Sequence, residues 1–510
     1  MAGTRQPGGE PSVFERLRLI RAGRDRREGA LDKAAPVEAR PERGLSPGPR
    51  LICVSHREPF ARAKVGRAGS LERTTGGLVT ALDSALRDIG GRWIASGEAD
   101  AHLKAPPDSQ GRTYDIDQIG LSTREMDQYY SGFSNRVLWP LFHYFIGRML
   151  FKPDEWHQYA HVNRRFADAL VKAMGTGDSV AWIHDYQLLL VPNLVRHQRP
   201  QATLGLFLHI PFPAYEVFRT LPTRREILIG MLGADVIGFH TSHYRDAFLD
   251  SARQLLGARV DKYGAVDYAG HRSRTIASPI GIDVAKQTEL ATDPRTVAKA
   301  LRLRKSIHGD MLILGVDRLD YSKGIIERFA GFERLLERHP EHRGRTTLVQ
   351  IAVPSRTRVE EYRQLKRATD EAVGRINGKY GDGVWTPVQY ITHSVQAAEL
   401  AAYYRAADVA LVTPLRDGLN LVAKEYVASR VDFGGALVLS EFAGASEELP
   451  QAYIVNPYGP DSISDALHAA LTDDRVERER RMMALHARVQ TNDVNQWARG
   501  FFEQLKRQVH

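Results

Sequence analysis

From about residue 50 onward the sequence alternates short apolar runs with longer segments of helical period, and it does so in two successive series. The first series has runs at 51–55, 180–184, 204–209, 236–240 and 275–280; the second has runs at 311–316, 347–353, 388–392, 409–413 and 436–440. Runs that are apolar at consecutive positions suit strands buried on both faces, with the intervening helices covering those faces. The pattern predicts an α/β fold with two parallel sheets in tandem, the boundary lying at 283–295, and 510 residues exceed what one ordinary core needs. Ligands of open parallel sheets bind beyond the carboxyl ends of the strands. His184, Asp185, His209, Arg318, Arg356 and Asp417 each fall at or just past an expected strand end, so two facing sheets would gather them in one cleft.

Composition narrows the class of protein. Hydrophobic residues make up 43% and charged residues 26%, values of a soluble globular chain, and no apolar run approaches the roughly eighteen residues of a membrane span. The single Cys53 leaves no disulfide framework or cysteine zinc site and, with no signal-peptide pattern, fits a cytoplasmic protein. A net charge of +9 raises the question of a nucleic-acid partner, but Lys and Arg are interspersed with acids and form no basic stripe with aromatics. Residues 1–48, rich in Arg, Gly, Pro, Ala and Glu, hold too few apolar groups for a core and read as a disordered basic tail.

Two stretches carry most of the chemistry. Gly315-Val-Asp-Arg-Leu-Asp-Tyr-Ser-Lys-Gly324 places Arg318 and Lys323 across a strand-to-helix turn, where a guanidinium, an ammonium and a helix N-terminus suit a diphosphate. The alternative is a surface ion pair with Asp317 or Asp320. Leu411-Val-Thr-Pro-Leu-Arg-Asp-Gly-Leu-Asn-Leu-Val-Ala-Lys-Glu425 puts Asp417 on a loop and Glu425 about two turns along the next helix, within reach of sugar hydroxyls. Gly418 allows close backbone approach, and the amides of Leu419, Asn420 and Leu421 can face a negative charge. Here the alternative is a helix cap at Asp417 and a salt bridge at Glu425. Gly76-Gly77 after the first strand and Arg57 at its end are weaker candidates for anion binding. Pro211 and Pro213 stiffen the chain after His209. Asp115-Ile-Asp117 imitates a metal-binding acid pair without following a clear strand, and His240 and His243 lack zinc-ligand spacing.

With these residues assembled, the chain resembles the trehalose-6-phosphate synthases of glycosyltransferase family 20, from about residue 50 to the C-terminus. The resemblance is carried by Trp182-Ile-His-Asp-Tyr-Gln187, Phe207-Leu-His-Ile-Pro-Phe-Pro213, Val316-Asp-Arg-Leu-Asp-Tyr-Ser-Lys-Gly324, Gly374-Arg-Ile-Asn-Gly-Lys-Tyr-Gly381 and Thr413 to Tyr426. It implies a GT-B fold: an acceptor domain at 49–288, a nucleotide-sugar domain at 289–478, and C-terminal helices at 479–510 crossing back to the first domain. It also implies a retaining transfer of glucose from a nucleoside-diphosphate glucose to glucose 6-phosphate, giving α,α-trehalose 6-phosphate. His209, Arg318, Lys323 and Asp417 are then the catalytic set. Gly76, Gly77, Val395, Gly418, Leu419, Asn420, Leu421, Val422 and Glu425 complete the donor site, and Arg57, Tyr130, Trp139, Asp185 and Arg356 form the acceptor site. No metal or other cofactor is expected, nor a nucleic-acid or membrane partner; a homo-oligomer, as a tetramer, is. UDP-, ADP- and GDP-glucose all stay open as donors. Alternatives are a related transferase using glycerol 3-phosphate or an aminocyclitol phosphate as acceptor, and a non-catalytic regulatory subunit. One departure stands out: where family members often read Ser-Asn-Arg-Leu-Pro, this chain has Ser55-His56-Arg57-Glu58-Pro59.

Overall fold

Two sheets account for the two series of apolar runs. The computed structural model describes residues 50–62, 71–73, 79, 82–83, 86–87, 90–108, 110–354 and 360–507; the tail, Gly76, Gly77 and Arg356 lie outside the described residues. The chain runs through β1 (Arg50–Ser55), the hairpin β2 (Phe60–Arg62) and β3 (Leu71–Arg73), β4 (Gly91–Gly97), β5 (Ala101–Lys104), β6 (Asp115–Gly120), β7 (Ser179–His184), β8 (Thr203–Phe207), β9 (Val236–Phe239), β10 (Arg259–Val260), β11 (Ala265–Tyr268) and β12 (His271–Ala277). Then follow β13 (Met311–Arg318), β14 (Thr346–Val353), β15 (Val388–Ile391), β16 (Val409–Val412), β17 (Ala436–Ser440) and β18 (Tyr453–Val455).

The first sheet has the order β10-β11-β12-β9-β8-β7-β1-β4-β6-β5, and the second β15-β14-β13-β16-β17-β18. The second is parallel throughout. The first is parallel from β6 to β12, with antiparallel strands only at its edges. Strand order reverses between β1 and β7 and between β13 and β16, and at such reversals the helices diverge to opposite faces and leave a crevice. All ten expected strands form. The strands the sequence pattern did not reveal, β2 to β6, β10, β11 and β18, are short or half-exposed, as in the alternating exposure of β5, so their sequences lack an unbroken apolar run. Asp115 and Asp117 belong to β6, where Arg92 and His102 pair with them, so they are tied into a salt-bridge cluster at the sheet edge.

The last helix, Val494–Lys506, returns to the first sheet. Phe501 stacks on Trp182 with ring centroids 4.5 Å apart and 5° between planes, and Trp497 donates its indole N–H to the Ser278 carbonyl at 3.0 Å. Gly238 in β9 makes room for this helix, since a Cβ there would sit 2.7 Å from the Phe501 ring. Phe501 is 1% exposed. Phe501→Ala should therefore cost about 3–5 kcal/mol of unfolding free energy by denaturant titration; a loss below about 1 kcal/mol would mean that the helix docks without contributing to the core.

Candidate functional site

The carboxyl ends of six strands converge on a cavity of about 420 Å³. From the first sheet come Ser55, His56 and Arg57 after β1, His184 and Asp185 after β7, His209 after β8 and His240 after β9. From the second come Val316, Asp317 and Arg318 of β13, Lys323 in the turn after it, and Asp417 with Leu419 to Val422 and Glu425 after β16. Tyr130 and Trp139 enter from the helical segment Met126–Leu138 and its continuation Trp139–Phe142.

The two stretches singled out from the sequence abut. The Leu415 amide donates to the Ser322 carbonyl at 2.8 Å, and Gly324, at φ +62, packs so closely that a Cβ would lie 2.2 Å from the Thr413 carbonyl oxygen. Lys323 Nζ reaches Asp417 Oδ2 at 2.5 Å, and Asn420 donates to the same oxygen at 3.0 Å. Burial alone would raise the Asp417 carboxyl, but the Lys323 charge and these hydrogen bonds hold it below the usual carboxylate range. Neither Asp317 nor Asp320 is the lysine's partner. Asp317 pairs with Arg328 at 2.5 Å, and Asp320 accepts from Ser322 and Tyr362.

Helix Leu421–Ser429 is capped by Asn420, whose side chain accepts from the Ala423 amide, so Asp417 is left to the cavity. Glu425 accepts from the Tyr404 hydroxyl at 2.9 Å, and burial pushes its carboxyl up. Asn420 adopts φ +78, as does Asp185 at φ +74. Non-glycine residues held in the left-handed region cost energy and cluster at functional sites. Asp185 is fixed there by its amide, which donates to the Phe207 carbonyl, and by its carboxylate, which accepts from the His209 amide at 3.3 Å.

Three histidines line the floor. His184 Nδ1 lies 3.1 Å from His209 Nε2, and the His209 and His240 rings are 5.3 Å apart. Burial, with His209 beside His184 and His240 beside His209, holds His184 and His209 well below the usual imidazole range; burial and the nearby Lys424 pull His240 down to about 3. At neutral pH all three are neutral hydrogen-bonding groups.

The two halves of the cavity touch at defined points. Gly418 lies under the His209 carbonyl, where a Cβ would meet the oxygen at 2.1 Å, and the Tyr244 hydroxyl donates to the Asp417 carbonyl at 3.0 Å. Arg318, exposed at the end of β13, lies over the Trp139 ring at 5.8 Å, and Arg416 over Tyr144 at 4.0 Å.

Of the expected site residues, Arg57, Tyr130, Trp139, Asp185, His209, Arg318, Lys323, Asp417, Leu419, Asn420, Leu421, Val422 and Glu425 line the one cavity. Gly418 is packed just behind it. Val395 is half-buried before helix Ala397–Ala406 and is not among the lining residues. Several lining residues escaped sequence reasoning: His56, Tyr186, Gln187, His240, Ile280, Val316 and Asp317. His56 stacks on Tyr130 at 4.4 Å, so the residue that departs from the family pattern braces an expected acceptor-site residue. Arg328, fully buried behind Lys323, was missed as well. Its signal was an arginine on the apolar stripe of Ile325, Phe329, Phe332 and Leu336.

Two parallel-sheet lobes with a cation pair and an acid-lined helix start at their facing strand ends define a GT-B glycosyltransferase. Residues 49–507 match the model of glycosyltransferase family 20, and the chain belongs to that family. A trehalose-6-phosphate synthase of Mycobacterium sp. (strain JLS) is 44% identical over 465 residues, covering 89% of this chain and 96% of the relative. An E. coli structure bound with UDP-2-fluoro glucose is 38% identical, with a TM-score of 0.82 and coverage of 90% of this chain and 99% of that one. An alpha,alpha-trehalose-phosphate synthase (UDP-forming) from Burkholderia xenovorans, in complex with glucose-6-phosphate, is 36% identical, also with a TM-score of 0.82, and coverage is 90% of this chain and 100% of that one.

Proposed function

We propose that this chain transfers glucose from a nucleoside-diphosphate glucose to the anomeric hydroxyl of glucose 6-phosphate, forming α,α-trehalose 6-phosphate with retention. The observation that carries the reading is the convergence of Arg318, Lys323, Asp417 and Glu425 on one wall of a cavity whose other wall presents Arg57, Tyr130 and Asp185. Relatives that share nearly the whole length of the chain bear the synthase name, and solved neighbours hold a UDP-glucose analogue and glucose 6-phosphate.

In this reading the bond between the glucosyl anomeric carbon and the distal phosphate oxygen breaks, and its electron pair goes to that oxygen. Arg318 and Lys323 stabilise the charge, acting most strongly as it develops. The acceptor hydroxyl forms the new bond on the same face and gives its proton to the departing phosphate, so no side-chain nucleophile is required. Glu425 takes the ribose hydroxyls, while His209 and Asp417 hold the transferred glucose. Arg57 and Tyr130, with Arg356, hold the acceptor phosphate, and Asp185 takes an acceptor hydroxyl. Because two side-chain cations supply the positive charge, no metal is needed in the cleft. The single, buried Cys53 supports a cytoplasmic, reducing setting, and family likeness a homotetramer.

The test is nucleoside-diphosphate release in EDTA with UDP-, ADP- or GDP-glucose, offered glucose 6-phosphate, glycerol 3-phosphate or an aminocyclitol phosphate. Release with glucose 6-phosphate that persists in EDTA is expected. Release that needs added magnesium, or that another acceptor supports better, would count against this reading.

A further inference from the structure

Outside the cleft, four side chains with metal-ligand chemistry meet at one end of a helix pair in the second half of the chain. Helices Ile325–Arg338 and Pro460–Thr472 pack so closely that a Cβ on Gly331 would lie 2.4 Å from Ile463, and Arg334–Asp461 and Arg338–Asp465 pairs run along the seam. Where the first helix ends, the chain turns through His339 into the short turn Pro340–His342, which faces His468 on the second helix. The His339 and His468 rings stack at 3.8 Å, and His342 Nε2 is 3.1 Å from His468 Nδ1. Glu341 Oε1 is 3.5 Å from His339 Nδ1 and 3.9 Å from His468 Nδ1.

We propose that His339, Glu341 and His468, whose ligand atoms lie within 4.8 Å of one another, bind one divalent ion of the zinc class with solvent at the open position, and that the ion cross-links the two helices. Ligands about 2.0–2.1 Å from a tetrahedral ion stand about 3.3 Å from one another. The 3.5 and 3.9 Å separations of Glu341 from the two imidazoles lie close to that edge, so rotation of the side chains about their own torsions closes the set. Two imidazoles and a carboxylate are donors that borderline ions such as zinc prefer, whereas calcium and magnesium take oxygen. The set also has an outer support. His342, 7% exposed, stands behind His468 with its Nε2 3.1 Å from His468 Nδ1, and its own Nδ1 faces the buried Thr346 hydroxyl at 3.4 Å. The glucosyl-transfer cleft uses none of these residues.

The full chain, stripped with a chelator and desalted, is titrated with zinc sulfate by calorimetry and melted with and without zinc. Saturable uptake of one ion per chain and a higher Tm are expected. Cobalt(II) should give the intense visible bands of a four-coordinate site. Glu341→Ala, at an exposed position, and His468→Gln should each weaken zinc binding at least tenfold and abolish the Tm rise, while the metal-free Tm and glucosyl transfer stay those of the parent. If His468→Gln does not fold, Glu341→Ala carries the test. No saturable uptake, or unchanged affinity in the variants, would overturn the site, and a Tm indifferent to zinc would overturn the cross-link.

Discussion

Lys323→Ala should lower turnover at saturating donor by about 10²- to 10³-fold, the typical effect of removing one preorganised donor from a developing oxyanion. Lys323 is held in readiness by Asp417, 2.5 Å away, and sits in the turn between β13 and helix Ile325–Arg338. Its ammonium has two acids' worth of work in different states: it neutralises Asp417 before the donor arrives and the leaving phosphate as the glycosidic bond breaks. Without it, Asp417 keeps only the Asn420 amide as its stabilising neighbour on that oxygen. The variant should therefore lose kcat more than donor affinity, and its Asp417 carboxyl should titrate at higher pH than in the parent. Stopped-flow or steady-state release of nucleoside diphosphate, with donor varied over a wide range, separates the two effects. A kcat within threefold of the parent would remove Lys323 from the leaving-group site.

Arg328→Met should destabilise the protein by about 3–5 kcal/mol, because it strands a buried carboxylate. Arg328 is 0% exposed and donates to Asp317 at 2.5 Å, to Gln350 at 2.8 Å and to the Thr413 hydroxyl at 3.1 Å. It thereby joins β13, β14 and the end of β16 at the point where strand order reverses. Burial already pushes the Asp317 carboxyl up despite the guanidinium beside it, so removal of Arg328 leaves that group favouring its neutral form. Adding Asp317→Asn to Arg328→Met should recover a substantial part of the loss, since the uncompensated charge is then gone. Denaturant unfolding of the parent, the single variant and the double variant measures this directly. A single variant within about 1 kcal/mol of the parent, or a double variant no better than the single, would show that the pair is not what holds the turn.

The sequence was most legible where burial is two-sided. The runs that became β7, β8, β16 and β17 are buried along nearly their whole length, and such strands announce themselves as unbroken apolar segments. The site residues near their ends followed from that reading, as with Asp185 and Asp417. What stayed hidden depends on tertiary contact. His56 gains its place by stacking on Tyr130, some seventy positions away, and the approach of Arg318 to Trp139 is a long-range contact too, although Arg318 itself is legible at its strand end. No local pattern encodes either approach. Arg328 was readable in principle as a charge on an apolar stripe, but an arginine there is equally the mark of a side chain that carries its head to solvent. The strands β4 and β6, half-exposed at several positions, lacked the continuous run that revealed the others.

The most direct measurement is proton and carbon NMR of the sugar product formed from UDP-glucose and glucose 6-phosphate by the full chain. The account predicts a single phosphorylated disaccharide whose two anomeric centres are both α and linked 1,1, appearing in step with UDP. Free glucose as the main product, a β-configured linkage, or no disaccharide with any of the three nucleoside-diphosphate glucoses would contradict it.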